Sequence, residues 1–298
     1  MAAGREIVLV TGAAGFIGRA LCARLRDEGF RVRALVRAAG TRMPPELAGT
    51  LDSVIAARDL AGACPWPEVF RDVGSVVHLA GRSRVSGFPG SGRDLIFRDN
   101  LDGTRALARA AVRAGIKRFI FLSSVKVNGE GVMAAVHKRP YRATDPPRPR
   151  GAYAVSKWRA EQELREIFAG CDTELVIFRA PLVYGPGAGG NLAGLSRWLE
   201  LGLPLPVPVP ENRRSLLGLE KLVTLILGAL SSAERSESVL LPADDKSWSL
   251  EELARFLVPD RRLRLVRVPG PLLRFLLLKC LRRPEIYRKL YGSLLVES

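Results

Sequence analysis

The opening of the chain admits few folds. Residues Ile7-Val-Leu-Val10 form an unbroken apolar run of the length of one buried strand, and they pass directly into Thr11-Gly12-Ala-Ala-Gly15-Phe16-Ile17-Gly18. Beyond the glycines, Ile17, Leu21 and Leu25 recur at helical spacing and Gly29 supplies a stop. Strand, glycine turn and helix in that order are the first unit of a doubly wound α/β sheet. Glycines allow the tight turn and let backbone come close to a pyrophosphate, which then sits on the N–H groups and positive dipole end of the helix. The expectation is a Rossmann-type parallel sheet over residues 1–180 that binds a dinucleotide through Gly12, Gly15, Phe16, Ile17 and Gly18. Residues 181–298 are expected to form a smaller α/β region, interleaved with the sheet, that takes the substrate.

The next strands set the rest of that cleft. Val32 to Val36 reads as the second strand, and at its end a site for an unphosphorylated ribose places a carboxylate. Arg37 stands there instead, a guanidinium suited to a 2′-phosphate, which favours NADP(H) and leaves NAD(H) as the alternative. A third strand, Ser53 to Ala57, leads to Asp59 and Leu60 at the adenine edge, and Cys64-Pro-Trp-Pro67 reads as a turn. The fourth strand, Ser75 to Leu79, opens at Ala80-Gly81, where small residues let a cofactor pass, and Ser83 to Arg93 is a loop on the ligand face. Asn100 opens the following helix, with a plain N-cap as its simplest role, and Gly115 closes it.

Phe119-Ile-Phe-Leu122 is a buried strand that ends in Ser123-Ser124. Later, Tyr153 and Lys157 lie four residues apart, on one helix face that continues apolar through Ala160, Leu164, Ile167 and Phe168, so the pair points inward. An ammonium there would lower the phenol pKa from about 10 toward the working range, and the three polar groups can converge on one carbonyl or carbinol. Thr11-Gly-x-x-Gly-x-x-Gly18, Asn100, Ser124, Tyr153-x-x-x-Lys157 and Arg179-Ala-Pro-Leu-Val-Tyr-Gly-Pro186 together resemble the extended short-chain dehydrogenase/reductase family, in its nucleotide-sugar epimerase/dehydratase group. The resemblance implies that Ser124 holds the substrate oxygen, Tyr153 exchanges its proton, and Lys157 also binds the nicotinamide ribose. It further implies that Ser123, Leu79 and Pro181 sit at the cofactor and that Asn100 supports the lysine through water.

After Ser124 the chain reads Val125-Lys126-Val127-Asn128, whereas the dehydratases it resembles carry two acids there for water elimination. Decarboxylating relatives also keep an acid in this segment, so reduction and epimerisation remain. The segment, with Arg213-Arg-Ser-Leu-Leu-Gly-Leu219, is most similar to UDP-N-acetylquinovosamine-type 4-ketoreductases of bacterial polysaccharide synthesis. That implies NADPH-dependent reduction of a UDP-4-keto-6-deoxy-N-acetylhexosamine at C4. An NAD-dependent 4-epimerase, a non-catalytic NADPH-binding scaffold and a membrane-associated reductase are the alternatives. Substrate contacts are expected from Ser83, Lys126, Val127, Asn191 and the paired guanidiniums Arg213 and Arg214, the last two on the diphosphate. Leu182 stands where many relatives have an asparagine touching the nucleotide.

The chain has 298 residues and a net charge of +16, with single arginines scattered along it and no nucleic-acid module, so the anionic partner is read as a ligand and not DNA or RNA. Cys22, Cys64, Cys171 and Cys280 are widely spaced and the two histidines are too few for a typical zinc site; no metal is expected and a reducing, cytoplasmic setting fits. The apolar run at the N-terminus is too short for a signal peptide. Gly185 to Asn191 reads as a long loop into a short helix, Pro204 to Pro210 as an extended linker over the site, Leu219 to Leu230 as a helix, Val239 to Leu241 as a strand and Ser249 to Glu252 as a capping box. Residues 271–283 are apolar but interrupted by Arg274 and Lys279; they pack over the substrate region or, on the sharper reading, touch the inner membrane face. A homodimer is expected. Similar ketoreductases continue past a segment like 292–298, so a shortened C-terminus is also read here.

Overall fold

The computed structural model describes residues 6–37, 49, 51–83, 92–130, 132–133, 139–209, 211–232, 238–275 and 292–297. These fall into two compact units, one of residues up to 127 with 147–179 and 219–240, the other of 128–146, 180–218 and 241 onward.

The first unit carries seven strands: β1 (Ile7–Thr11), β2 (Arg31–Val36), β3 (Ser53–Ala56), β4 (Val73–His78), β5 (Arg118–Ser124), β6 (Glu174–Ala180) and β7 (Ser238–Leu240). Their order is β7-β6-β5-β4-β1-β2-β3. The pairs β1–β2, β1–β4, β2–β3, β4–β5 and β6–β7 all run parallel. Every residue of β1 and β4 is buried, as in a sheet covered on both faces, which is why these strands read as continuous apolar runs without alternation. Strand order reverses at β1, with β2 on one side and β4 on the other, so the loops leaving β1 and β4 part and open a crevice at their carboxyl ends.

Three helices matter to the crevice: α1 (Phe16–Asp27), α2 (Gly103–Arg113) and α3 (Gly151–Phe168). The buried stripe of α3, Ala160, Leu164 and Phe168, meets Phe119 and Ile177 of the sheet in one core. Asn100 does not open a helix. Helical backbone already begins at Gly92, and Asn100 lies in a π-helical turn, Arg98–Asp102, that leads into α2. Cys64–Pro67, expected as a turn, runs into a one-turn helix at Trp66–Val69, where a proline in the first turn costs no intrahelical bond.

The second unit has its own three-stranded sheet. Arg213–Gly218 is central, pairing parallel with Leu182–Tyr184 and antiparallel with Ser247–Ser249. The expected linker over 204–210 is instead a strand, Leu205–Val209, parallel to Leu265–Pro269. Leu205 and Val207 bury into a core with Leu195, Leu199 and Leu253, and Pro206 and Pro208 are tolerated because both strands of a two-stranded pair are edges. The capping box is present: Ser249 Oγ accepts from Glu252 N–H at 3.1 Å, and Ser249 N–H donates to Glu252 Oε2 at 2.8 Å. Residues 276–283 of the apolar tail and Cys280 lie outside the described residues; among those described, Cys22, Cys64 and Cys171 are free thiols. No helix among the described residues is long and apolar enough to cross a membrane.

Candidate functional site

Where β1 ends, Gly12 takes a left-handed φ of 69°. A Cβ on Gly12 would stand 2.9 Å from the backbone nitrogen of Ala80, and one on Gly18 would stand 2.3 Å from the Gly12 carbonyl oxygen, so close packing of turn, helix and β4 excludes any side chain at either position. α1 starts without a side-chain cap and without an acidic residue in its first turn, which leaves its N–H groups and positive dipole end to an anion. Phe16 and Ile17 frame the turn half-buried, and Gly18 is buried against it.

A cleft of about 310 Å³ opens there, lined by Gly12, Gly15, Arg37, Asp59, Leu60 and Leu79 to Gly81. Two further charged lining residues escaped the sequence reading, Arg58 and Asp99. Arg37 Nη2 lies 3.3 Å and Arg82 Nε 2.7 Å from the same oxygen of Asp99, so one carboxylate ties the end of β2 to the loop after β4. Arg58 sets a second exposed guanidinium on the rim just beyond β3. Asp59 is less open to a base than expected, since Oδ1 accepts from Ala61 N–H at 2.9 Å and Oδ2 from Arg98 Nε at 2.7 Å. The Arg98 contact holds its carboxyl below the usual range. A nicotinamide adenine dinucleotide fits these residues: the glycine turn and bare helix end suit a pyrophosphate, and Gly81 leaves a passage where a Cβ would sit 3.1 Å from Lys157 Nζ and 3.3 Å from Asn100 Oδ1.

Under the turn runs a buried relay that the sequence did not reveal. Ala80 N–H donates to Thr11 Oγ1 at 3.1 Å, Thr11 Oγ1 is 2.6 Å from His78 Nδ1, His78 Nε2 is 2.9 Å from Thr104 Oγ1, and the Thr104 hydroxyl donates to Asn100 O at 2.7 Å. With the Thr104 proton spent on Asn100, His78 must donate from Nε2 and accept at Nδ1. Burial first, and then Lys157, push the His78 pKa down to about 3. The unfolded chain protonates this imidazole near about 6.5. Between those values the unfolded state binds the extra proton, so stability falls as pH falls through that window, by up to about 1.4 kcal/mol per pH unit. Urea midpoints measured through this window should therefore drop with acid in the wild type, and His78→Gln should lose that component of the slope.

At the mouth, Lys157 is 3 % exposed. Its Nζ donates to Leu122 O at 2.9 Å and lies 4.5 Å from the Phe121 ring centroid. Burial draws its pKa down to about 8, opposed by Glu161. Tyr153 is half-buried and hydrogen-bonded to the Ser124 side chain. Its pKa is raised by burial, with the Ser124 bond opposing, so the expected depression by Lys157 is not found: the ammonium is turned to the Leu122 carbonyl, and loss of water around the phenol outweighs it. Ser124 Oγ also accepts from Lys126 N–H at 3.3 Å. Val125 and Val127 are buried in a 3₁₀ turn with half-buried Lys126 between them. Ser123, expected at the cofactor, has its hydroxyl engaged elsewhere, donating to Glu161 Oε1 of α3 at 2.5 Å. Asn100 is fully buried; its amide donates to Arg82 O at 3.0 Å and Ser156 Oγ at 2.9 Å and accepts from Arg82 N–H at 2.6 Å, fixing the loop after β4 to the residue before Lys157. Ser83 is exposed at the end of that loop's described part.

In the second unit, Pro181 is buried beside the Leu182–Tyr184 strand, and Asn191 is exposed in the first turn of the helix Gly190–Glu200. Arg213 and Arg214 do not form a pair. As consecutive strand residues they diverge, Arg213 Nη2 to Ser247 O at 2.7 Å and to Glu252 at 3.3 Å, Arg214 Nε to Gly292 O at 2.6 Å. Burial lowers the Arg214 pKa to about 10.

Comparison with known proteins points the same way as the crevice. The model of the NAD dependent epimerase/dehydratase family matches residues 8–239. A UDP-glucose 4-epimerase of Vibrio cholerae is 32 % identical over 97 % of this chain and 87 % of its own. A ceramide reductase of Caulobacter vibrioides is 29 % identical over 90 % and 75 %. Among solved structures, UDP-glucuronic acid 4-epimerase of Bacillus cereus in complex with NAD superposes with a TM-score of 0.74 at 20 % identity, covering 89 % of this chain and 87 % of its own, a likeness of fold.

Proposed function

The chain belongs to the NAD dependent epimerase/dehydratase family, and from that membership we propose that it is an NADP(H)-dependent nucleotide-sugar oxidoreductase that reduces a UDP-linked 4-keto-6-deoxy-N-acetylhexosamine at C4, for surface polysaccharide synthesis. Bound in the cleft, the reduced dinucleotide supplies a hydride. The protein's part is proton and charge. Ser124 and Tyr153, already sharing a hydrogen bond, receive the C4 oxygen between them. As negative charge grows on that oxygen, Tyr153 gives up its proton to it and Ser124 donates a hydrogen bond that strengthens toward the transition state. Lys157 stabilises the phenolate left behind by turning to it from the Leu122 carbonyl.

What carries the reading is the hydrogen bond between Tyr153 and Ser124, which sets a phenol and a hydroxyl side by side to share one substrate oxygen. The absence of a carboxylate at Val125 and Lys126 supports the same reading against dehydration. The two rim guanidiniums, Arg37 and Arg58, support a 2′-phosphate. Arg37→Ala and Arg58→Ala are each expected to weaken NADPH binding about tenfold or more while leaving NADH binding unchanged, read by nicotinamide fluorescence; equal losses for both cofactors would remove the 2′-phosphate from the proposal.

The second reading, an NAD-dependent 4-epimerase, is favoured by the Vibrio cholerae relative that spans nearly the whole chain. One incubation separates the two. With NADPH and a UDP-4-keto-6-deoxy-N-acetylhexosamine, a reductase consumes reduced nicotinamide and fixes one configuration at C4. With NAD and a UDP-hexose, an epimerase inverts C4 with no net change in cofactor. Inertness in both overturns both.

A further inference from the structure

One oxygen of Asp99 is shared by two guanidiniums, and it holds them unequally. Asp99 belongs to the π-helical turn Arg98–Asp102, and its place is fixed through its neighbour. The buried Asn100 amide grips Arg82 at N–H and carbonyl, 2.6 and 3.0 Å away, and Ser156 Oγ at 2.9 Å. Arg82 then reaches back, its Nε 2.7 Å from Asp99 Oδ2, so turn, loop and carboxylate close a ring. Arg37 meets the same oxygen from the end of β2, 62 residues earlier in the chain, at 3.3 Å. Side-chain exposure separates the two partners: Arg37 is 60 % exposed, Arg82 26 % and Asp99 22 %. An exposed pair contributes little, because water screens it and a long side chain must be ordered to make it. Arg37 is therefore the member that can leave, and its departure strands no charge, since Asp99 keeps Arg82.

Arg37 and Asp99 both line the dinucleotide cleft. The other acid of that rim, Asp59, is taken by Arg98 Nε at 2.7 Å and Ala61 N–H at 2.9 Å. A guanidinium engaged by a carboxylate must give up that contact before it can grip a phosphate. We propose that Asp99 is a specificity-determining residue: it masks Arg37, so that taking up a 2′-phosphate exchanges one ion pair for another, while an unphosphorylated ribose leaves the clasp closed. The cleft then discriminates less sharply between NADPH and NADH than a bare guanidinium would. This rests on the reading above in which Arg37 receives the 2′-phosphate. The exchange is favourable because a phosphate offers more charge and more acceptor oxygens than the carboxylate it displaces.

The test is the dissociation constant of NADPH and of NADH, by nicotinamide fluorescence with the full chain, in wild type, Asp99→Asn, Arg37→Ala and the double variant. The amide keeps the side chain's shape and can still accept from Arg82, but it no longer competes for Arg37 as an anion. Asp99→Asn is expected to bind NADPH about two- to tenfold tighter, the size of effect that one exposed charge has on another, with NADH no tighter. In the Arg37→Ala background the same substitution should bring no gain, because nothing is left to unmask. Asp99→Ser takes the place of the amide variant if that one does not fold. A preference that falls with Arg37→Ala but does not rise with Asp99→Asn overturns this proposal alone, and the clasp is then a surface ion pair only. A gain that persists without Arg37 overturns it too. Equal binding of both cofactors that Arg37→Ala leaves untouched removes the 2′-phosphate reading and this proposal together.

Discussion

Tyr153→Phe should lower the rate of ketosugar reduction by about 10²–10⁴-fold, the contribution expected of one well-placed general acid. The substitution removes the only atom of that side chain able to deliver a proton and keeps the ring that fills the site. Loss of its hydrogen bond to Ser124 should cost about 1 kcal/mol of stability, too little to unfold the chain. NADPH affinity, measured by fluorescence titration, should stay near wild type, so that the loss lies in turnover. A variant that reduces the sugar at the full rate would remove Tyr153 from the chemistry. If neither wild type nor variant turned over while both bound NADPH, the scaffold reading would take its place.

Gly12→Ala should strongly destabilise the folded state. At a φ of 69° an alanine pays a conformational penalty of about 1–2 kcal/mol, and its Cβ, 2.9 Å from the Ala80 nitrogen, meets backbone that cannot swing aside. Overpacking adds about 1–3 kcal/mol. The sum, about 2–5 kcal/mol, is a large fraction of a stability on the order of 5–15 kcal/mol. Because either the turn or Ala80 must shift, dinucleotide affinity should fall too. Gly115→Ala is the control: its φ is 65° but no atom lies within 4 Å of the new carbon, so only the conformational part should appear in urea unfolding. Equal losses in the two variants would show that the close approach of β4 to the turn contributes nothing.

The doubly wound sheet and the Ser124, Tyr153 and Lys157 positions were legible because they rest on local signals. β1, β4 and β5 are buried on both faces and so read as apolar runs, and the inward direction of Lys157 follows from the stripe it shares with Ala160 and Leu164. What escaped depends on which strand stands beside which. Thr11, His78 and Thr104 meet only because β1 and β4 are neighbours under α2, and nothing along the chain links positions so far apart. Arg58 and Asp99 come to one cleft by the same accident of topology. Arg213 and Arg214 were misread for a different reason: in a loop two adjacent guanidiniums can point together, but in a strand they cannot. The prolines at 206 and 208 disguised a strand, and the pKa of Tyr153 turned on burial, a quantity that spacing does not contain.

The bare start of α1 has a consequence for the life of the protein. A helix whose own side chains offer nothing to its first N–H groups would, on the proposed reading, borrow that cap from its coenzyme. Anything that binds only the native chain stabilises it by mass action, about 2.7 kcal/mol when present at a hundredfold excess over its Kd. A starved dinucleotide pool would then do more than slow turnover: it would shorten the survival of the empty enzyme against proteases.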